Sequence, residues 1–113
     1  GVPCVLKTRR FGYDGKGQFV LREYSDVEEA WKNLGGTPLI LEGFVQFGRE
    51  LSILAVRARG GETAFYPLVE NHHRGGILRL SLAPAPNLTD AIQKQAEAHA
   101  QKLLEALDYV GVL

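Results

Sequence analysis

Apolar positions along the chain fall into short runs and one-sided stripes, and their period separates strands from helices. Pro3–Thr8 is short and almost wholly apolar, with Lys7 near its end, and predicts a buried strand. Gln18–Glu23 predicts a second strand, so the polar, glycine-rich stretch between them joins two strands as a hairpin. From Ser25 the period changes. Val27, Ala30, Trp31 and Leu34 fall at i, i+3, i+4 and i+7, which predicts a helix that buries Trp31 in its apolar stripe. Ser25-Asp26-Val27-Glu28 has the capping-box pattern, with Ser25 capping the helix and Glu28 reaching back, and Gly35-Gly36 ends it. Pro38–Leu41 is an apolar strand running into Glu42-Gly43-Phe44-Val45. The order to this point is β-β-α-β.

Glu50–Arg59, Thr63–His72 and Ile77–Ala83 predict three further strands in an antiparallel meander, with Gly60-Gly61 and Gly75-Gly76 as tight turns. In the last of them Leu78, Leu80 and Leu82 point to one face, towards a core, and Arg79 and Ser81 to the other. Pro84-Ala85-Pro86 is a stiff connector. Asn87 or Thr89 caps a long helix ending near Leu107, with Ile92, Ala96, Leu103, Leu104 and Leu107 as its buried stripe. Tyr109–Leu113 returns as a strand. The expected fold class is therefore α+β, with two small lobes at residues 1–45 and 46–113 and a junction near Glu42–Gly48. An opening directly into a strand and an end inside an apolar stretch read as a segment of a longer protein.

Composition narrows the function classes. One domain's worth of chain, 45% hydrophobic and 23% charged, is ordinary for a globular protein. Thirteen basic and thirteen acidic residues leave no global field to attract nucleic acid or a membrane surface, so any electrostatic function is local. The one cysteine, Cys4, cannot form an internal disulfide; its apolar neighbours make it a small core residue, in keeping with a cytoplasmic protein.

Phe11-Gly12-Tyr13-Asp14-Gly15-Lys16-Gly17-Gln18 concentrates the candidate chemistry. Three glycines in six residues let a backbone approach a ligand closely, and Lys7, Arg9, Arg10 and Lys16 make this the most basic part of the chain. Free N–H groups with nearby cations suit a polyphosphate. Glycine and charge alone serve a mobile, solvated hairpin turn equally well. The spacing matches neither G-x-x-x-x-G-K-[ST] nor a glycine loop opening a helix. Lys7, at a strand end, can set a point charge against a phosphate, or simply snorkel. Glu42 and Glu50 bracket the junction, where a crevice would suit a nucleotide and a carboxylate can accept from ribose hydroxyls. His72 and His73 are adjacent in a strand and point to opposite faces, so they do not chelate one metal together. Nothing interleaves aromatic and basic residues in the manner of an RNA-binding sheet.

Taken together these residues resemble the ATP-grasp superfamily, and within it the 5-(carboxyamino)imidazole ribonucleotide synthetase family, over essentially the whole chain. The matching stretches are Val5-Leu6-Lys7-Thr8-Arg9-Arg10, Gly12–Gln18, Leu41-Glu42-Gly43-Phe44 with Glu50, Ala64–His73, Gly76-Ile77-Leu78-Arg79 and Leu107–Val112. The resemblance implies a ligase that uses ATP and Mg2+ to carboxylate 5-aminoimidazole ribonucleotide with bicarbonate, in a cytoplasmic, homodimeric parent. It implies that Lys7 binds ATP phosphates and that Gly12, Tyr13, Asp14, Gly15, Lys16, Gly17 and Gln18 form a flap over them. By the same resemblance Glu42, Gly43, Phe44 and Val45 hold the adenine, Glu50 the ribose, and His73 contacts the nucleotide or the reacting end. Tyr13 and Asp14 touch bicarbonate or the imidazole ribonucleotide. The family's magnesium carboxylates are expected beyond Leu113, so the segment alone is expected to be inactive. A non-catalytic ATP-grasp-like module, or a related ligase such as the formate-dependent transformylase or biotin carboxylase, stands as the alternative.

Overall fold

Nine strands and two helices make up the chain in a computed structural model that describes all residues, Gly1–Leu113. They form three three-stranded sheets, of order β2-β1-β3, β4-β7-β8 and β6-β5-β9, where β1 is Cys4–Thr8, β2 Gln18–Leu21, β3 Leu39–Gly43, β4 Glu50–Ser52, β5 Ala55–Arg57, β6 Thr63–Phe65, β7 Val69–Arg74, β8 Ile77–Leu82 and β9 Gly111–Val112. Two compact units result: Gly1–Gly48 with His73–Leu78, and Arg49–His72 with Arg79–Leu113.

In the first unit β1 (Cys4–Thr8) is the central strand, antiparallel to β2 (Gln18–Leu21) and β3 (Leu39–Gly43). Its register opposes Cys4 to Leu21 and Gly43, and Lys7 to Gln18 and Ile40. Alternation then puts Cys4, Leu6, Phe19, Leu21 and Leu41 on one face. The helix α1 (Asp26–Leu34) lays Ala30 on that face, and Cys4, Leu21 and Ala30 form the buried cluster, with Val2, Leu6 and Phe19 packed against it. Cys4 is the core residue its neighbours predict.

Two expectations for α1 are corrected. Trp31 is 63% exposed, because a nine-residue helix on a narrow sheet buries only Ala30. Ser25 itself has helical φ and ψ and makes no side-chain cap. Asp26 takes the local donors instead, its Oδ2 accepting from the N–H of Arg22 at 2.7 Å and of Glu23 at 3.1 Å. These bonds to the ionised form hold the Asp26 carboxyl below its ordinary value.

In the second unit the expected meander is split between two sheets. β4 (Glu50–Ser52) and β5 (Ala55–Arg57) are separated at Ile53-Leu54, and β6 (Thr63–Phe65) and β7 (Val69–Arg74) at Tyr66-Pro67-Leu68. Pro67 has no N–H for a ladder, and the N–H of Leu68 turns aside to Gln93 Oε1 at 2.9 Å. Strands that would have run straight therefore change sheets here. β8 (Ile77–Leu82) follows β7 across the two-residue Gly75-Gly76 turn, and Leu78 and Leu80 are half exposed rather than cored.

The helix α2 (Asp90–Ala106) is capped by Thr89, whose Oγ1 accepts from Ile92 N–H at 3.4 Å. Its buried face is rotated from the expected stripe. Ala100 and Leu104 are buried against Ala55, with Ile53 and Phe65 at the edge, while Ile92, Leu103 and Leu107 are exposed. Small Ala100 lets the helix sit close to β5, which brings the 100/104 line inward. Of the expected strand Tyr109–Leu113, β9 spans Gly111–Val112; it pairs antiparallel with β5, extended by mutual bonds between Leu113 and Ala55 at 2.8 and 3.0 Å. No helix is long and apolar enough to cross a membrane.

Candidate functional site

The glycine stretch continues the β1–β2 hairpin. Thr8 N–H donates to Gly17 O at 2.7 Å, and at the tip Lys16 N–H donates to Tyr13 O, also at 2.7 Å. The two residues between, Asp14 and Gly15, have φ of 46° and 75°. Positive φ at both central positions is the type I′ turn, for which Asp-Gly is a favoured pair because its twist matches that of the strands. The expected hairpin therefore exists, with a defined corner. At its base Gly17 has φ of 78°, and a Cβ there would fall 2.6 Å from Thr8 Oγ1. Only glycine fits that position without moving Thr8.

Lys7 through Gln18 line a concavity of about 390 Å³. Lys7, Arg9, Arg10 and Lys16 are all in its wall, against one carboxylate, Asp14. Lys16 Nζ lies 4.9 Å from the centre of the Tyr13 ring and 3.3 Å from its hydroxyl, so the aromatic face steadies a flap cation. A surplus of positive charge in a pocket with glycine backbone suits a polyanion.

Alternation places Lys7, Gln18 and Glu42 together on the sheet face that α1 leaves open, with Val5, Val20 and Ile40. Lys7 Nζ donates to Glu42 Oε2 at 2.6 Å, with side chains 38% and 45% exposed. An exposed pair of this kind contributes about 0–1 kcal/mol, so an incoming phosphate can take the ammonium with little loss. Gly43 ends β3, Phe44 N–H reaches Pro3 O at 3.4 Å, and Phe44 and Val45 are exposed beyond it.

Lys7, the flap, Gln18 and Glu42–Val45 all belong to the first unit, as does His73. Glu50 opens β4 opposite Asn71 and belongs to the second. Two features escaped the sequence. Arg49 pairs with Glu70 and also donates to Pro86 O at 2.6 Å, and His72 Nε2 lies 3.0 Å from the other Glu70 oxygen. The Arg49 hydrogen bond, against a smaller desolvation effect, holds the Glu70 carboxyl below its usual value. No sequence pattern links Arg49 to Glu70; strand register does, with Leu51 opposite Glu70. The other feature is the turn at Gly75-Gly76, legible as a turn but not as a neighbour of the flap tip. Nowhere do three His, Cys, Asp or Glu side chains gather as metal donors.

Comparison with known proteins gives the family of the chain as a whole. The model of the ATP-grasp domain matches residues 1–113, and the chain belongs to the ATP-grasp family. It is 57% identical over 113 residues to the N5-carboxyaminoimidazole ribonucleotide synthase of Pseudomonas aeruginosa, covering 100% of this chain and 31% of that protein. The crystal structure of the N5-carboxyaminoimidazole ribonucleotide synthetase from Thermus thermophilus matches with a TM-score of 0.88 and 62% identity, over 99% of this chain and 29% of that one. The Aspergillus clavatus N5-carboxyaminoimidazole synthase, crystallised with ADP and 5-aminoimidazole ribonucleotide, matches with a TM-score of 0.83 and 32% identity, over 98% and 28%. The expected resemblance thus holds along the whole chain, which spans about a third of these relatives' length.

Proposed function

We propose that this chain is the nucleotide-binding segment of an ATP-dependent carbon–nitrogen ligase that carboxylates 5-aminoimidazole ribonucleotide with bicarbonate, releasing ADP and phosphate. The observation that carries the reading is the type I′ flap over a pocket walled by Lys7, Arg9, Arg10 and Lys16. Phosphoryl transfer asks a protein mainly for positioning and charge neutralisation, and such a pocket supplies both. In this reading ATP phosphorylates bicarbonate, and the resulting carboxyphosphate is attacked by the exocyclic amine of the ribonucleotide.

Lys7 exchanges its Glu42 partner for a phosphate oxygen, and Gly12–Gln18 cover the phosphates with backbone N–H groups. Glu42, Gly43, Phe44 and Val45 take the adenine edge, Glu50 the ribose, and His73 a polar group of the nucleotide or of the reacting end. Tyr13 and Asp14 face the bicarbonate or the ribonucleotide. Mg2+ is assigned no residue of this chain. The parent protein acts in the cytoplasm as a homodimer.

The test is phosphate release by the full-length parent, with bicarbonate and 5-aminoimidazole ribonucleotide each present or omitted. Release is expected to depend on both, and Lys7→Ala to lower it at least about a hundredfold, the scale of losing one preorganised charge contact. Release indifferent to the ribonucleotide would remove the substrate assignment, and a wild-type rate in Lys7→Ala would remove Lys7 from the site.

A further inference from the structure

At the flap tip the chain meets a second turn of the same kind. Gly75 and Gly76, between β7 and β8, have φ of 60° and 77°, the mirror-image tight turn again. The two turns approach each other backbone to backbone. A Cβ built on Gly15 would lie 3.0 Å from Gly76 Cα and 3.3 Å from Gly75 O, and one on Gly76 would lie 2.5 Å from Gly15 Cα and 3.0 Å from Gly15 N. A Cβ on Gly75 would meet nothing within 4 Å. Gly15 is half-buried accordingly, although Asp14 and Lys16 on either side of it are exposed.

We infer that the Gly15–Gly76 contact is the seat that positions the flap, and that both glycines are positioning residues for the anion held beneath it. The inference rests on the proposed nucleotide site. Positive φ already favours glycine at both positions of each turn, so glycine alone says nothing of a contact. Gly75 separates the two demands, since it shares the backbone geometry and lacks the neighbour. A hairpin tip free in solvent samples many arrangements, and each must be given up when the flap closes on a ligand. A tip already resting on a fixed turn meets less of that cost, which is the advantage of preorganisation. Van der Waals contact between two backbones leaves no space for even a methyl group, so a side chain on either glycine lifts the tip from its seat.

The experiment uses the full-length parent with three variants, Gly75→Asn, Gly76→Asn and Gly15→Asn. Asparagine enters the left-handed region most readily of the residues with a Cβ, so backbone strain is kept low and similar in all three. Trypsin cleavage after Lys16 reports whether the tip is seated, and KM for ATP reports whether seating matters for binding. Gly75→Asn is expected to match wild type. Gly76→Asn and Gly15→Asn are expected to be cut after Lys16 several-fold faster and to raise KM for ATP about tenfold, with kcat changed less, as for a loosened lid. Should Gly76→Asn fail to fold, Gly15→Asn at the tip of an exposed hairpin still decides the matter. Equal cleavage of Gly75→Asn and Gly76→Asn, or of Gly15→Asn and wild type, would overturn the seat. Faster cleavage with no ATP protection in any of the proteins, wild type included, would instead overturn the nucleotide site and leave the contact standing.

Discussion

Glu70 shows how much a single carboxylate can organise. It accepts from Arg49, which also holds the carbonyls of Pro86 and Asn87, and its other oxygen faces His72. One side chain thereby ties β7 to the segment leading into α2. Its carboxyl is held below the usual range chiefly by the Arg49 hydrogen bond. The unfolded chain therefore binds this proton at a higher pH than the folded one. The resulting stability is fully present above the unfolded pKa and is lost as pH falls through the folded one. Melting temperature measured from about pH 6 down to about pH 3 should fall less steeply in Glu70→Gln than in wild type. Equal slopes would mean that Arg49 gains nothing from the charge. The exposed Lys7–Glu42 pair is the opposite case, worth little to the fold.

At the scale of elements, α1 separates what a sequence states from what only a structure decides. Its extent was legible, since period and the closing Gly35-Gly36 fix a helix to within a residue. Its start was legible only as a place. Ser25 and Asp26 are both capping types, and the choice depends on the path of Arg22-Glu23, which is set by where β2 ends. Asp26→Ala should therefore lower the melting temperature and Ser25→Ala leave it unchanged; the reverse order would restore the capping box. The hairpin was legible because a polar, glycine-rich stretch lies between two apolar strands, and the structure puts its type I′ turn at Asp14-Gly15. The division of the meander was harder to see. Pro67 marks a break, but which sheet each half joins depends on Gln93 and on β9, far along the chain. Among the site residues, the grouping of Lys7, Gln18 and Glu42 follows from a register that alternation makes nearly obligatory. The touching of Gly15 and Gly76 follows from no local pattern at all.

For the molecule as a whole, the balance of buried and exposed apolar surface is the decisive quantity. Eight hydrophobic residues are buried, and Leu104 is the one large side chain among them that is fully enclosed. Twenty-one large hydrophobics are exposed, with Tyr24, Val27, Trp31 and Leu41 gathered around an apolar groove of about 370 Å³ beside α1. Contiguous apolar surface of that kind is rare on monomers that live alone in water. The relatives are about three times as long as this chain, which leaves them ample further polypeptide with which to cover such a face. The 113-residue chain expressed by itself should then bind a hydrophobic dye, associate with rising concentration and melt over a broad range. Trp31, its one tryptophan, should be quenched freely by iodide in dilute solution and become protected as association proceeds. A sharp, dye-free melt from a monomer at concentrations of about 100 μM would show instead that these small cores suffice, against the expectation for so little enclosed volume.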